Sequence, residues 1–554
     1  MRTKIIGTMA ATAVAALTLG GPGSPAQAET SAPSAAALAP STIKWGACVD
    51  ETLSSRGAQC AKISVPLDWA KPSGTKIKIA ISRIKHTVKA SKFQGVMLVN
   101  PGGPGGSGLI YSVAKGWVPK YRGIDVAGAY DWIGFDPRGV GDSEPQVVCN
   151  DQYAGYNRPR YDPSPEFPYT TYKVTDPWPA RTNQYTADCK ANNSAGILRH
   201  LTTKDVAKDM NAIRYRLGAG KINYLGFSYG TYLGQVYASL FPDRTRRMIF
   251  DGTVDPRDVW YEANLNQDVA FDRNINYWFR WVAKHDDVYH LGDTTAKVKK
   301  LWYDTRDALY ADTVTAPEGE HGGSDQLGGS EWTDAFLYAG YYQSTWTDLG
   351  ETFAAYVNDG DVGAFETAYL DASDFEADNG YAVYTGVQCT DVAWPKSWAT
   401  WKKDNDKIAA VAPFETWSNA WYNEPCRHWP APSRTPKKIT GKGVSLLMLN
   451  ETLDAATPYP GSLEVRRLFP MASLVATKGG TSHSNSLNGN ACVDVKIARF
   501  LYNGKVPKRT KGNHADAYCK AAPQPEPQSP TARKQGSSAL GQLKLEQQKI
   551  AAPR

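Results

Sequence analysis

Apolar and polar positions fall in blocks along this chain. The runs VMLVN (Val96–Asn100), YDWIGFD (Tyr130–Asp136) and INYLGF (Ile222–Phe227) are apolar nearly throughout. Strands covered on both faces have that character. In TTKDVAKDMNAIRYRLGAGK the apolar residues Val206, Met210, Ile213 and Leu217 recur at helical spacing, with Thr202 or Thr203 to cap the start and Gly218 to end it. Another helix is expected from Tyr229 onward. Strands and helices alternating in this order predict a mostly parallel α/β sheet. After RRMIFDGTVDP the pattern changes. From about Arg257 to Arg434 the chain is aromatic and helical, without clear buried strands, and holds twelve of the seventeen tryptophans. GVSLLMLN (Gly443–Asn450) and ASLVAT (Ala472–Thr477) then resume the buried-strand character. The simplest reading is one α/β sheet interrupted by a large inserted helical cap. Its rings serve either the cap's own core or a cleft lined in part by aromatics.

The ends of the chain change this picture little. Arg2 and Lys4, the apolar run Ile5–Leu19 and the small residues Ala26-Gln27-Ala28 predict a secretory signal over residues 1–28. That run is too short and too interrupted to span a bilayer, and no later segment is apolar enough to do so. Residues 29–40 are small and Ala/Pro/Ser-rich, which suits a propeptide or flexible arm. The Pro/Gln/Lys-rich stretch 521–554 is expected to be disordered. Between the ends, the reading divides the chain into sheet domain (41–256), cap (257–434) and sheet domain again (435–520). Of the formal charge of +7, Arg2 and Lys4 supply two, and the five basic and two acidic residues beyond 520 supply three. The body is therefore nearly neutral, which gives no case for binding nucleic acid. A secreted protein suits the eight cysteines, none of them in a CxxC. Sequence neighbours suggest the pairs Cys48–Cys60, Cys149–Cys189, Cys389–Cys426 and Cys492–Cys519, as structural staples rather than zinc ligands.

Chemistry enters with Gly226-Phe227-Ser228-Tyr229-Gly230, a G-x-S-x-G where a strand passes into a helix. That context is the one a nucleophile elbow requires: a strained serine, flanked by glycines, at a helix N-terminus that favours negative charge. A serine hydroxyl attacks only when a base takes its proton, and in this architecture acid and histidine follow the serine in that order. His483, in KGGTSHSNS after a strand, is better placed than His514 near the polar tail. Asp454, in SLLMLNETLDAATP, is the better acid, with Glu451 as the alternative. The glycine loop VNPGGPGGSG lacks the Lys-Ser/Thr ending of a P-loop. It suits an oxyanion site instead, with the Gly103 and Tyr229 N–H groups as donors.

Together NPGGPGGSG, GFDPRGVGDS, YLGFSYGTYLG, LDAATPYPGS and GGTSHS resemble the secreted tripeptidyl aminopeptidases of actinomycetes, relatives of the prolyl aminopeptidases within the α/β-hydrolase serine peptidases. The cap segments WYEANLNQDVAFD, YHLGDT, VQCTDVAWP and WSNAWYNEPC resemble that family too, so the likeness runs from about Ile43 to Cys519. It implies an α/β-hydrolase fold and release of short peptides, mainly tripeptides, from free N-termini. Ser228 would be the nucleophile, Asp454 the orienting acid and His483 the base, with no metal or organic cofactor. Measuring from a free amine demands a carboxylate at the closed end of the cleft; Glu262, Asp268, Asp272 and Asp391 are the candidates in the family-like segments. A secreted esterase or lipase of the same fold is the rival enzyme, because the same triad cleaves esters. A silent surface-binding module would be expected to have lost part of the triad. An epoxide hydrolase or dehalogenase would carry Asp at the elbow, where this chain has Ser228.

Overall fold

The computed structural model describes residues 42–193, 196–319, 321, 323–373 and 378–527. The expected signal segment, residues 29–40 and the tail beyond 527 lie outside the described residues. The strands are β1 (Gly46–Ala47), β2 (Gln59–Pro66), β3 (Lys76–Ile84), β4 (Val96–Asn100), β5 (Asp131–Phe135), β6 (Ile222–Phe227), β7 (Thr245–Asp251), β8 (Val314–Thr315), β9 (Gln326–Leu327), β10 (Leu446–Glu451), β11 (Ala472–Lys478) and β12 (Ala517–Lys520). Ten of them form one sheet in the order β1-β2-β3-β5-β4-β6-β7-β10-β11-β12. From β5 to β12 along that order the strands run parallel, and β1, β2 and β3 pair antiparallel at one edge. The fold is the expected α/β-hydrolase arrangement.

Why the parallel strands read as unbroken apolar runs is now visible. Val96, Leu98, Met248, Phe250, Leu446 and Met448 pack into one core layer. Their chain neighbours Met97, Val99, Ile249, Leu447 and Leu449 pack into another. Side chains alternate across a strand, so both faces of the sheet are buried. The helix Thr203–Arg216 is capped by Thr202, whose side chain accepts from Asp205 N–H, and Gly218 beyond it has a φ of 67°.

Helices from Tyr261–Lys284 to Thr416–Asn423 build the cap, with β8 and β9 as a two-stranded ribbon. Most of the tryptophans serve packing: Trp278, Trp281, Trp302, Trp332, Trp346, Trp401 and Trp421 are among the largest fully buried side chains. Residues 150–193, read from sequence as part of the sheet domain, also join this layer. Trp178 stacks on Trp421 with centroids 5.7 Å apart, Arg158 pairs with Asp334, and Tyr185 donates to Asp378 at 2.9 Å. The four expected cysteine pairs are the disulfides present. The stretch after Cys519, expected to lack structure from Ala521, is described as far as 527. There Pro525 O accepts from the buried Trp281 indole at 2.8 Å, tying it to the cap. Among the described residues no helix is long and apolar enough to cross a membrane.

Candidate active site

The C-terminal ends of parallel strands and their loops form a common edge, where α/β folds build sites. Ser228 sits there, between β6 and the helix Tyr229–Leu240, with φ 53° and ψ −128°. A non-glycine residue at positive φ costs on the order of 1–3 kcal/mol and persists only where its surroundings over-determine it. They do here. Ser228 N–H donates to Asp251 O at 3.0 Å, and Ser228 O accepts from Thr231 N–H at 2.8 Å and Thr231 Oγ1 at 2.7 Å. The flanking glycines are required by space. A Cβ at Gly226 would lie 2.6 Å from Gly230 O, and one at Gly230 would lie 2.7 Å from Asn100 O on β4.

The loop after β4 closes over this turn. A Cβ at Gly102 would meet Phe227 O at 2.7 Å and Ser228 Cβ at 2.8 Å, so the loop backbone lies directly on the elbow. The Gly102 amide is engaged by Asn100 Oδ1 at 3.2 Å. Gly103, Ser228 and Tyr229 border one pocket.

Asp454 and His483 come together from the loops after β10 and β11. His483 Nδ1 lies 2.9 Å from Asp454 Oδ2 and 3.0 Å from Oδ1. Thr457 fixes the carboxylate from the other side, its N–H 3.0 Å from Oδ1 and its hydroxyl 2.7 Å from Oδ2. Both partners are buried, His483 at 2% and Asp454 at 1% exposure. His483 N–H donates to Tyr341 O at 2.8 Å, and the Tyr341 ring meets the imidazole edge-on at 5.8 Å. The imidazole connects to the elbow through Ser484: its hydroxyl is 3.3 Å from His483 Nε2 and donates at 3.1 Å to Asp251 O, the acceptor that also holds Ser228 N–H. Asn274 of the cap helix Tyr261–Lys284 ties the two loops, with Nδ2 3.0 Å from Leu453 O and 3.2 Å from Thr481 O.

Glu451, the alternative acid, meets other groups. Its Oε2 accepts from Ser482 N–H at 2.5 Å and its Oε1 from Asn485 Nδ2 at 3.0 Å. Burial, with Asp454 and Asp251 adding repulsion, pushes its carboxyl up to about 7. His514 is engaged by Ala515 O at 2.8 Å before β12. Thr457, Ser484 and Asn274 were not singled out from sequence. For Thr457 there was a signal, since a threonine three residues after an aspartate in a turn can donate back to it.

The four expected carboxylates lie elsewhere. Glu262 is exposed. Asp268 is buried and accepts from Asn419 Nδ2 at 2.7 Å. Asp272 takes the Phe414 N–H at 3.3 Å and Asn276 Nδ2 at 3.0 Å. Asp391 ties the cap to the sheet domain, accepting from Thr203 N–H at 2.8 Å and Thr203 Oγ1 at 2.5 Å. Burial raises it to about 7 despite those bonds. None of the four borders the Ser228 pocket. The carboxylates that do are Asp255 and Asp258, on the segment leaving β7, beside Trp260, Asn266, Tyr384 and Gln388. Asp255 is paired with Arg257, whose Nε is 2.9 Å from Oδ1. Asp258 accepts from Asn266 Nδ2 at 3.1 Å. Partial burial and the nearby Asp255 and Glu262 charges raise the Asp258 carboxyl, against the pull of Arg257.

Residues 95–340 match the family model described as alpha/beta hydrolase fold, and residues 412–536 match the one described as TAP-like protein. A tripeptidyl aminopeptidase of Streptomyces lividans is 40% identical over 493 residues, 87% of this chain and 88% of that protein. The serine protease Hip1 of Mycobacterium tuberculosis is 30% identical over 480 residues, 84% of this chain and 89% of that one. A carboxylesterase B of the same organism is 30% identical over 488 residues, 86% of this chain and 90% of its own length.

Proposed function

The chain belongs to the tripeptidyl aminopeptidase family of α/β-hydrolase-fold proteins, and from that membership and the site geometry we propose that it is a secreted serine exopeptidase. It releases short peptides, mainly tripeptides, from the free N-termini of peptides and proteins. One arrangement carries the reading: the buried Asp454–His483 pair is linked through Ser484 and Asp251 O to a serine strained onto a helix N-terminus, and that serine borders a pocket lined in part by cap residues. Four disulfides suit an extracellular enzyme.

In the reaction, Ser228 Oγ attacks the scissile carbonyl carbon as its proton passes to His483 Nε2. The Nδ1–H of His483 stays on Asp454, which fixes the tautomer and steadies the imidazolium. The carbonyl oxygen becomes an oxyanion between the N–H groups of Gly103 and Tyr229. When the C–N bond breaks, His483 gives its proton to the departing amine and leaves the peptide esterified to Ser228. Water then repeats the sequence with His483 as base, freeing the peptide acid and the Ser228 hydroxyl. At the other end of the substrate, Asp258, backed by Asp255, receives the α-ammonium. A cation relieves the mutual repulsion of these carboxylates, and charge-assisted hydrogen bonds of this kind contribute about 1.5–3 kcal/mol.

The esterase reading has one observation in its favour, the carboxylesterase B relative. Three chromogenic substrates separate the two: a free-amine tripeptide anilide, its N-acetylated form and a short-chain nitrophenyl ester, each with a Ser228→Ala control. The exopeptidase turns over the first, loses the second, and loses both activities in the control. Asp258→Asn then raises KM for the free tripeptide by about tenfold to a hundredfold while sparing the ester. Strong ester turnover with neither anilide cleaved would overturn the peptidase reading.

A further inference from the structure

We propose that Glu451 is a positioning residue for His483: its carboxylate clamps the loop on both sides of the histidine, so that the imidazole stays on Asp454. The inference rests on the triad reading above and goes beyond it. Strand β10 ends at Glu451, and the two carboxylate oxygens divide between two anchors, Ser482 N–H at 2.5 Å and Asn485 Nδ2 at 3.0 Å. His483 lies between those anchors in the chain. Gly480 makes the approach feasible, because a Cβ there would stand 3.0 Å from Oε1 and closer still to Oε2. Asp251 takes the next stretch of the loop, accepting from Ser486 N–H at 2.8 Å on Oδ2 and from Ser484 Oγ at 3.1 Å on its carbonyl. Every anchor is a donor that wants a charged or carbonyl oxygen, and Glu451 supplies two of the acceptors from one side chain.

The charged and titratable groups around Glu451 are Asp454 on the loop that follows β10, Asp251 at the end of β7, and His483 on the loop it holds. Arg273 of the helix Tyr261–Lys284 reaches Leu453 O from the cap at 2.5 Å. Burial, then the two aspartates, raises the Glu451 carboxyl to about 7. A proton added to either oxygen turns an acceptor toward a donor, so the clamp loosens as the pH falls through neutrality. Protonation of Glu451 therefore adds to the loss of activity on the acid side.

The test measures kcat and KM for Ala-Ala-Ala-p-nitroanilide between about pH 5 and 9. It compares the wild type, Glu451→Gln and Asn485→Ala, and follows the rate at which a fluorophosphonate labels Ser228. Glutamine fills the same volume but points an NH₂ at one of the two donors. Expected for Glu451→Gln is a kcat about tenfold to a hundredfold lower at pH 8, with KM within about twofold. Its acid limb falls less steeply than that of the wild type, because the Glu451 proton is missing from it. Asn485→Ala, which removes one anchor and leaves the carboxylate, loses less kcat and keeps the wild-type steepness. A Glu451→Gln enzyme with wild-type kcat, or with the wild-type acid limb intact, overturns the proposal. If that variant fails to fold, full kcat in Asn485→Ala overturns it instead. Wild-type protein whose Ser228 is never labelled sinks the triad reading itself and this inference with it. Labelled Ser228 with an indifferent Glu451→Gln sinks this inference alone.

Discussion

Asp454→Asn is the substitution with the sharpest expected consequence, because the change is nearly isosteric and the electrostatics are not. The wild-type carboxylate faces only donors: Thr457 N–H at 3.0 Å, Thr457 Oγ1 at 2.7 Å and His483 Nδ1 at 2.9 Å. An asparagine has one acceptor oxygen. If that oxygen keeps the Thr457 amide, its NH₂ faces the Thr457 hydroxyl, which can turn to accept, and His483 Nδ1, which must then give up its hydrogen. The proton moves to Nε2, the atom that in the proposed reaction receives one from Ser228. The wrong tautomer of a triad histidine costs about 10⁴ in kcat, which is about 5 kcal/mol at about 1.4 kcal/mol per decade. The stability cost is smaller, about 1–3 kcal/mol, because one buried hydrogen bond is compromised and no cavity is made. The assay is kcat and KM on the free tripeptide anilide, normalised to folded protein by a thermal melt. Members of a triad act as a unit, so Ser228→Ala/Asp454→Asn is expected to be no slower than Ser228→Ala alone. Activity of Asp454→Asn within tenfold of wild type would refute the reasoning and return the acid's role to another carboxylate.

Gly230→Ala tests the packing beneath the elbow. Its Cβ would stand 2.7 Å from Asn100 O and 2.8 Å from Asn100 Oδ1, and Asn100 is fixed in the sheet. The helix start must shift, at about 1–3 kcal/mol, and kcat is expected to fall about tenfold to a hundredfold; an unchanged kcat and melting temperature would contradict this. Asp391 makes a prediction about pH and stability. Its carboxyl is raised from 3.8 to about 7 by burial, so between those values the folded state holds a proton that the unfolded state has released. Stability therefore falls as pH rises from about 4 to about 7 and levels above it, by a few kcal/mol for a shift of this size. Glu451, raised from 4.5 to about 7, acts in the same direction, so the test compares urea midpoints at pH 5 and 8 in wild type and Asp391→Asn. The variant is expected to lose about one proton's share of the difference, and an identical difference in both proteins would show that Asp391 does not titrate in this range.

What could be read from sequence was whatever local geometry repeats. Strands buried on both faces must be apolar at consecutive positions, so VMLVN and INYLGF announce themselves. The elbow was legible because its two glycines answer a steric demand set within five residues. Residues 150–193 were not, because their burial depends on rings met far along the chain. Trp178 reaches Trp421, Tyr153 stacks on Tyr381 at 5.2 Å, and no local period encodes either contact.

The carboxylates are harder for the same reason. Glu451 and Asp454 lie three residues apart, one at the end of β10 and one in the loop after it, and look interchangeable as text. Their tasks differ because Glu451 ends the strand, where its oxygens meet the loop after β11, while Asp454 sits in a turn closed by Thr457 N–H, which aims it at Nδ1. Asp255 and Asp258 were not among the expected carboxylates because they stand just before the family-like segment WYEANLNQDVAFD at the start of the cap helix Tyr261–Lys284, and the candidates came from such segments. The candidates on that helix follow its rotation: Glu262 ends in solvent, Asp268 and Asp272 inside the cap. A helix of 24 residues presents each carboxylate to a different neighbour, so resemblance to a family segment could not select the one that faces the pocket. The segment leaving β7 could have been favoured on topology alone, since it departs from the strand next to the elbow strand and must pass the pocket mouth before any cap helix begins.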